Sequence, residues 1–152
     1  FTMILDPFVV LSGLCYLLLG ILLLAVSLWL FEIWTRFDVR HEILNTQNKA
    51  LAHIVKWVVI AQGIIITAAI FFTGYTPDHE TLILQVFLPS LLWSAIFGLI
   101  GMMFLQGLLS LFFRMPRMEK EILIDQNTAL ASIIEGGLVV LALMVSVAFY
   151  SY

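Results

Sequence analysis

The sequence predicts an all-α membrane protein with four transmembrane helices, built from two tandem, parallel two-helix repeats. Three observations predict it. Of 152 residues, 62% are hydrophobic and only 11% charged, against roughly one-quarter charged in soluble domains, and the mean hydropathy is +1.10. Four long stretches carry no Asp, Glu, Lys or Arg, and one segment returns 79 residues further on. So much apolar side chain needs the bilayer as its solvent, where only helices or closed barrels satisfy every backbone group. Long, uninterrupted apolar runs select helices.

The uncharged stretches are Phe8 to Phe31, Trp57 to Pro77, Thr81 to Phe113 and Gly136 to Tyr152. Each is near or above the ~20 residues that span ~30 Å of hydrocarbon. The second and fourth helices are expected to start earlier, near Lys49 and Thr128, because Ala50-Leu51-Ala52 and Ala129-Leu130-Ala131 are strong helix formers. Pro89 suggests that Thr81 to Leu88 lies at the interface before the third helix descends. The chain opens Phe1-Thr2-Met3 with Asp6 and has no Lys or Arg before Arg36, which is unlike a cleaved signal peptide. The first apolar segment is therefore expected to be retained, with a few residues missing ahead of Phe1.

All seven basic residues, Arg36, Arg40, Lys49, Lys56, Arg114, Arg117 and Lys120, lie in or beside the first and third connections. The second connection holds Asp78, His79 and Glu80 and no basic residue. The positive-inside rule then makes the first and third connections cytoplasmic and puts both termini outside. Trp29, Trp34, Tyr75, Tyr150 and Tyr152 fall at the expected interfaces. A net charge of -3, spread in short clusters, gives no basic face for nucleic acid. Cys15 has no partner cysteine and belongs with core packing.

The segments starting at His41 and Lys120 match at nine of fourteen positions without a gap: Glu42/Glu121, Ile43/Ile122, Leu44/Leu123, Gln47/Gln126, Asn48/Asn127, Ala50/Ala129, Leu51/Leu130, Ala52/Ala131 and Ile54/Ile133. Each unit reads as helix, short polar connection with a turn of interfacial helix, helix. The units are residues 1–75 and 76–152 of one membrane domain. With two spans each they point the same way, related by a pseudo-two-fold along the membrane normal. The doubled pattern Glu-Ile-x-x-x-Gln-Asn-x-Ala-x-Ala resembles the bacterial inner-membrane family known as domain of unknown function 350. The resemblance covers nearly the whole chain and implies four spans from two repeats in a bacterial inner membrane, with no established activity. Leu51 and Leu130 stand where that family's Asn-x-Ala-Ala-Ala signature has its middle alanine.

Asn48, Ala52, Lys56, Gly63 and Thr67 share one helical face, and Asn127, Ala131, Glu135, Ala142 and Ser146 share the equivalent one. Such stripes read first as packing seams, since small residues let membrane helices approach. The functional reading is a polar path, with Gln62 as a further member, because an ionisable residue within a span is a functional-site candidate. Lys56 and Glu135 are equivalent and opposite in sign, so they are expected to pair within a chain or between subunits; snorkelling of Lys56 is the alternative. Glu42 and Glu121 are expected to help satisfy the open backbone donors at the start of the following spans, or to form a cytoplasmic acidic ring with Glu32 and Gln106.

The recurrent Gly13, Gly20 and Ser27, and the small Ser94, Gly98 and Gly101, read as helix contact faces. Met102 and Met103 are expected in the core. His41-Glu42 lacks a second histidine four residues on, where Asn45 stands, so it is no zinc-protease helix. Asp78-His79-Glu80 reads as a solvated turn. There is no phosphate loop or nucleophile elbow, and catalytic residues, cofactors and metals are expected to be none. Phe71, Phe72, Phe104, Phe112 and Phe113 suggest burial against lipid or other copies. The expectation is a non-enzymatic homo-oligomer that contacts membrane lipids and organises, senses or anchors a cytoplasmic or membrane protein. An ion or proton pathway is the alternative.

Overall fold

The computed structural model describes residues 7–35, 37–73 and 87–150. Every regular element among them is helical: α1 (Pro7–Trp34), α2 (Val39–Leu44), α3 (Lys49–Thr73), α4 (Phe87–Phe113), α5 (Pro116–Leu123) and α6 (Thr128–Tyr150). α1, α3, α4 and α6 are long and apolar enough to cross a membrane. The order runs long, short, long twice. Arg36, Tyr75, Asp78, His79, Glu80, Tyr152, the stretch 81–86 and the boundary between the two predicted repeat units lie outside the described residues.

Local chemistry explains where the helices begin. Pro116 opens α5, where the missing N–H is one that has no intrahelical partner anyway. Pro89 lies near the N-terminal end of α4 as described, Phe87–Phe113. α2 is capped by Asp38, which accepts the His41 N–H at 2.9 Å. α3 and α6 begin at Lys49 and Thr128, and the short helices α2 and α5 occupy the first and third connections, where interfacial helix was predicted. Both short helices are followed by a glutamine in the left-handed region, Gln47 at φ 53° and Gln126 at φ 47°, which turns the chain into the next span.

α3 is the centre of the packing, in contact with α1, α4 and α6. Leu51, Ile54, Val58, Ala61 and Ile65 of α3 share a buried core with Leu105 and Leu109 of α4 and Ala131, Leu138 and Ala142 of α6. A second core, Leu23, Ile66 and Met102, marks where α1, α3 and α4 meet. Gly98 permits that approach, since a Cβ there would lie 3.0 Å from Leu23 Cδ1 and 3.9 Å from Ala69 Cβ. Ser27, Ser94 and Gly101 are also buried, as contact faces should be, whereas Gly13 is exposed with no atom within 4 Å of a Cβ placed on it.

Two expectations change. Met103 faces outward and only Met102 is core. A two-fold axis would make the α3–α4 contact equivalent to one between α6 and α1. α3 packs along α4, but α1 and α6 make no comparable contact among the described residues. Ile54 is 0% exposed and Ile133, 79 residues on, is 73% exposed. The face that α3 buries at Ile54 is therefore open at Ile133 on α6.

Candidate functional site

The polar residues of the spans gather at two levels. The first is the end of the molecule that carries α2 and α5. Asn48 precedes α3, and its Oδ1 accepts the Leu51 N–H at 2.9 Å, so it caps the helix. Its Nδ2 donates to the carbonyls of Ile122 at 2.9 Å and Leu123 at 3.4 Å, the unpaired last carbonyls of α5. One fully buried amide thus stitches the start of α3 to the end of α5. Asn127 caps α6 in the same way, accepting the Leu130 N–H at 3.1 Å, but its Nδ2 donates to Glu121 Oε2 at 2.9 Å within its own connection. Glu42 has another role, accepting the Thr46 hydroxyl at 2.9 Å. The carboxylates therefore support the turns, and the asparagines satisfy the span starts.

Deeper in α6 stands Glu135, about 10 Å along the axis from Thr128. Its Oε1 lies 2.8 Å from His53 Nδ1 of α3, with Glu135 14% and His53 51% exposed. Within the chain the partner of Glu135 is thus His53, one turn before Lys56. Lys56 is exposed, its Nζ 5.2 Å from the centre of the Trp57 ring. The reason is rotational. α3 and α6 use different faces in their contact, so equivalent residues do not oppose each other. The second stripe packs as a seam, with Ala131, Ala142 and Ser146 buried. In the first stripe Asn48 is buried while Lys56 and Thr67 face outward.

The second level is mid-span. One turn past the Leu23–Ile66–Met102 core come Ser27 of α1, Gln62 of α3 and Gln106 of α4, because α3 runs opposite to the other two helices. All three are buried. Gln106 Nε2 donates to Ser27 O at 2.6 Å and to Ser27 Oγ at 2.9 Å. Both amide atoms of Gln62 and the Gln106 Oε1 are buried without a hydrogen-bond partner. Gln106 therefore does not join an acidic ring with Glu32; it belongs to the α1–α4 seam, and Glu32 is exposed.

Sequence reasoning missed His53, and placed Ser27 on a contact face without naming Gln106 as its partner. Ser27 and Gln106 are separated by the same 79 residues as the repeated segment, but that offset does not by itself make two residues face each other, as Lys56 and Glu135 show. For His53 only the helix rotation reveals its role. No cluster of three or more His, Cys, Asp or Glu suited to a metal occurs among the described residues.

The chain matches no curated protein and no solved structure. The family model Domain of Unknown Function (DUF350) matches residues 3–149, nearly the whole chain, with its four apolar helices and doubled asparagine caps. The protein belongs to the Domain of Unknown Function 350 family.

Proposed function

We propose that this is a non-enzymatic, homo-oligomeric scaffold of a bacterial inner membrane, which anchors a cytoplasmic partner through its first and third connections. The observation that supports this reading is the segregation of chemistry. Exposed Arg40, Lys49, Arg114, Arg117 and Lys120 cluster at the α2/α5 end, while α1 and α6 turn broad apolar faces outward. The basic end is the cytoplasmic one by the positive-inside rule, which puts both termini outside. Anionic lipid headgroups complement the same charges. The two halves act as copies of one unit, each with an asparagine cap that sets its second span on a rigid connection.

The test is proximity crosslinking in native membranes, with charge reversals in 36–49 and 114–121 as variants. Capture of the same cytoplasmic protein by wild type, lost in the reversals while the oligomer persists, is the expected result. Equal capture by both removes the anchor reading.

One observation favours a second reading, an ion or proton pathway through Asn48, Lys56, Gln62, Asn127 and Glu135. Gln62 is fully buried mid-span with neither amide atom partnered, and such groups in a membrane interior mark functional sites. Flux through purified protein in liposomes, wild type beside Glu135→Gln and Lys56→Met, separates the readings. Flux lost in variants that still assemble favours the pathway, and its absence from a well-formed oligomer leaves the scaffold.

A further inference from the structure

Between α1 and α4, at the end of the molecule that carries α2 and α5, lies an open groove of about 680 Å³. Ile33 and Trp34 of α1 form one wall, Met103, Gly107 and Leu111 of α4 the other, and Arg114 stands just past the end of α4. Gly107 leaves the groove room, because a Cβ there would already lie 4.0 Å from Trp34 Cζ3. From Met103 to Arg114 the groove runs about 16 Å along the helix axis, half of the ~30 Å hydrocarbon thickness. Trp34 and Arg114, an aromatic ring and a cation, mark the shallow end as interfacial. The groove therefore has the depth of one acyl chain in one leaflet.

A smaller recess adjoins that shallow end and shares Trp34, Ser110 and Arg114 with the groove. Its other sides are Phe37, Phe113 and Glu119, and the Phe37 and Phe113 rings meet edge to face with centroids 5.5 Å apart. Aromatic walls with one carboxylate suit a cation. The room inside is about 10 Å³, enough for one group about the size of a water molecule. A primary ammonium fits that space and a trimethylammonium does not. Arg114 and Glu119 share the recess, yet neither forms an ion pair among the described residues. The mouth of the groove thus offers a cation and an anion side by side, both open.

We infer that the groove binds one phospholipid whose headgroup joins a phosphate to a primary ammonium, phosphatidylethanolamine. The phosphate accepts hydrogen bonds from the Arg114 guanidinium, the ammonium enters the recess beside Glu119, and one acyl chain lies along the wall from Leu111 to Met103. A purely anionic headgroup would bring a like charge to Glu119, and a choline headgroup is too large for the recess. The inference uses α1 and α4 as membrane spans and is independent of the anchor and pathway readings.

Native mass spectrometry of the full-length protein in detergent tests it, with phosphatidylethanolamine, phosphatidylglycerol and phosphatidylcholine of matched acyl chains titrated in turn. The expected result is one phosphatidylethanolamine retained per chain, preferred over each of the other two by about fivefold, as one ion pair or cation–π contact provides. Arg114→Gln should lower that retention by a similar factor. Glu119→Gln should erase the preference over phosphatidylglycerol while phosphatidylglycerol itself is held as well as before or better. Equal retention of the three lipids by wild type overturns the inference, as does retention unchanged in Arg114→Gln or a preference that survives Glu119→Gln. Leu111→Trp supplies a second readout: it fills the apolar part of the groove from a position that is 57% exposed, so the chain folds unchanged and lipid retention falls. Retention equal to that of the parent overturns the inference. A change of oligomer mass in Leu111→Trp or Arg114→Gln with lipid retention unaltered overturns it in favour of a second copy seated in the groove. Capture of a cytoplasmic protein by crosslinking is a separate measurement, so failure of the anchor reading and failure of this site are told apart.

Discussion

Asn48 and Asn127 look interchangeable by sequence, yet they carry different loads. Asn48 is fully buried and makes a cap bond plus bonds to two α5 carbonyls. Asn127 is half-buried and bonds within its own connection. Removing a cap costs about 1 kcal/mol, and stranding buried carbonyls adds roughly 1–3 kcal/mol. Asn48→Ala is therefore expected to lower the unfolding midpoint in detergent clearly more than Asn127→Ala. The acid at 135 offers a second comparison. A double-mutant cycle between His53→Ala and Glu135→Gln should show coupling of roughly 0.2–1 kcal/mol, as befits a pair with a half-exposed partner. Lys56→Met should couple to Glu135→Gln by less than about 0.3 kcal/mol within a single chain. A larger coupling with Lys56 that appears only in the oligomer would place that pair between subunits.

At the scale of elements, the spacing of α1 and α4 depends on a single missing side chain. A Cβ at Gly98 would lie 3.0 Å from the flexible end of Leu23, so Gly98→Ala should be mild while Gly98→Leu forces the helices apart at about 1–3 kcal/mol. Gly136 and Gly63 meet nothing within 4 Å, and alanine at either should raise helix stability slightly through propensity, about 0.5–1 kcal/mol. Thermal unfolding of the three alanine variants checks the order. The same seam contains Gln106, whose amide reaches α1 through Ser27. Gln106→Leu should cost about 0.6 kcal/mol, the average for interhelical bonds in membranes. Gln62→Leu has no bond in the chain to lose and should be neutral or stabilising. A strongly destabilised Gln62→Leu, or one that abolishes flux, would point to a guest held by that amide.

At the scale of the whole molecule, the decisive feature is the failure of two-fold symmetry. α3 packs against α1, α4 and α6, whereas α6 packs mainly against α3, so α6 keeps residues such as Ile133 exposed where α3 buries Ile54. In water the exposed α6 face would drive association by itself. In a bilayer, lipid tails cover it nearly as well, and association depends on close packing and shape.

How much was legible follows from the range of the interactions involved. Span number, the starts at Lys49 and Thr128, the interfacial helices and the capping asparagines depend on composition, propensity and bonds within a few residues, and the amino-acid sequence by itself determined them. It also revealed the 79-residue echo, whose caps at Asn48 and Asn127 fold alike. The rotation of each helix about its axis is different, because in a span apolar all round many rotations bury equal hydrocarbon. Only the tertiary structure decided that Glu135 meets His53, that Gln106 meets Ser27, and that Met103 faces out while Met102 faces in. The same rotations leave the buried face of α3 open on α6, where packing between helices, and no local preference, sets what touches what.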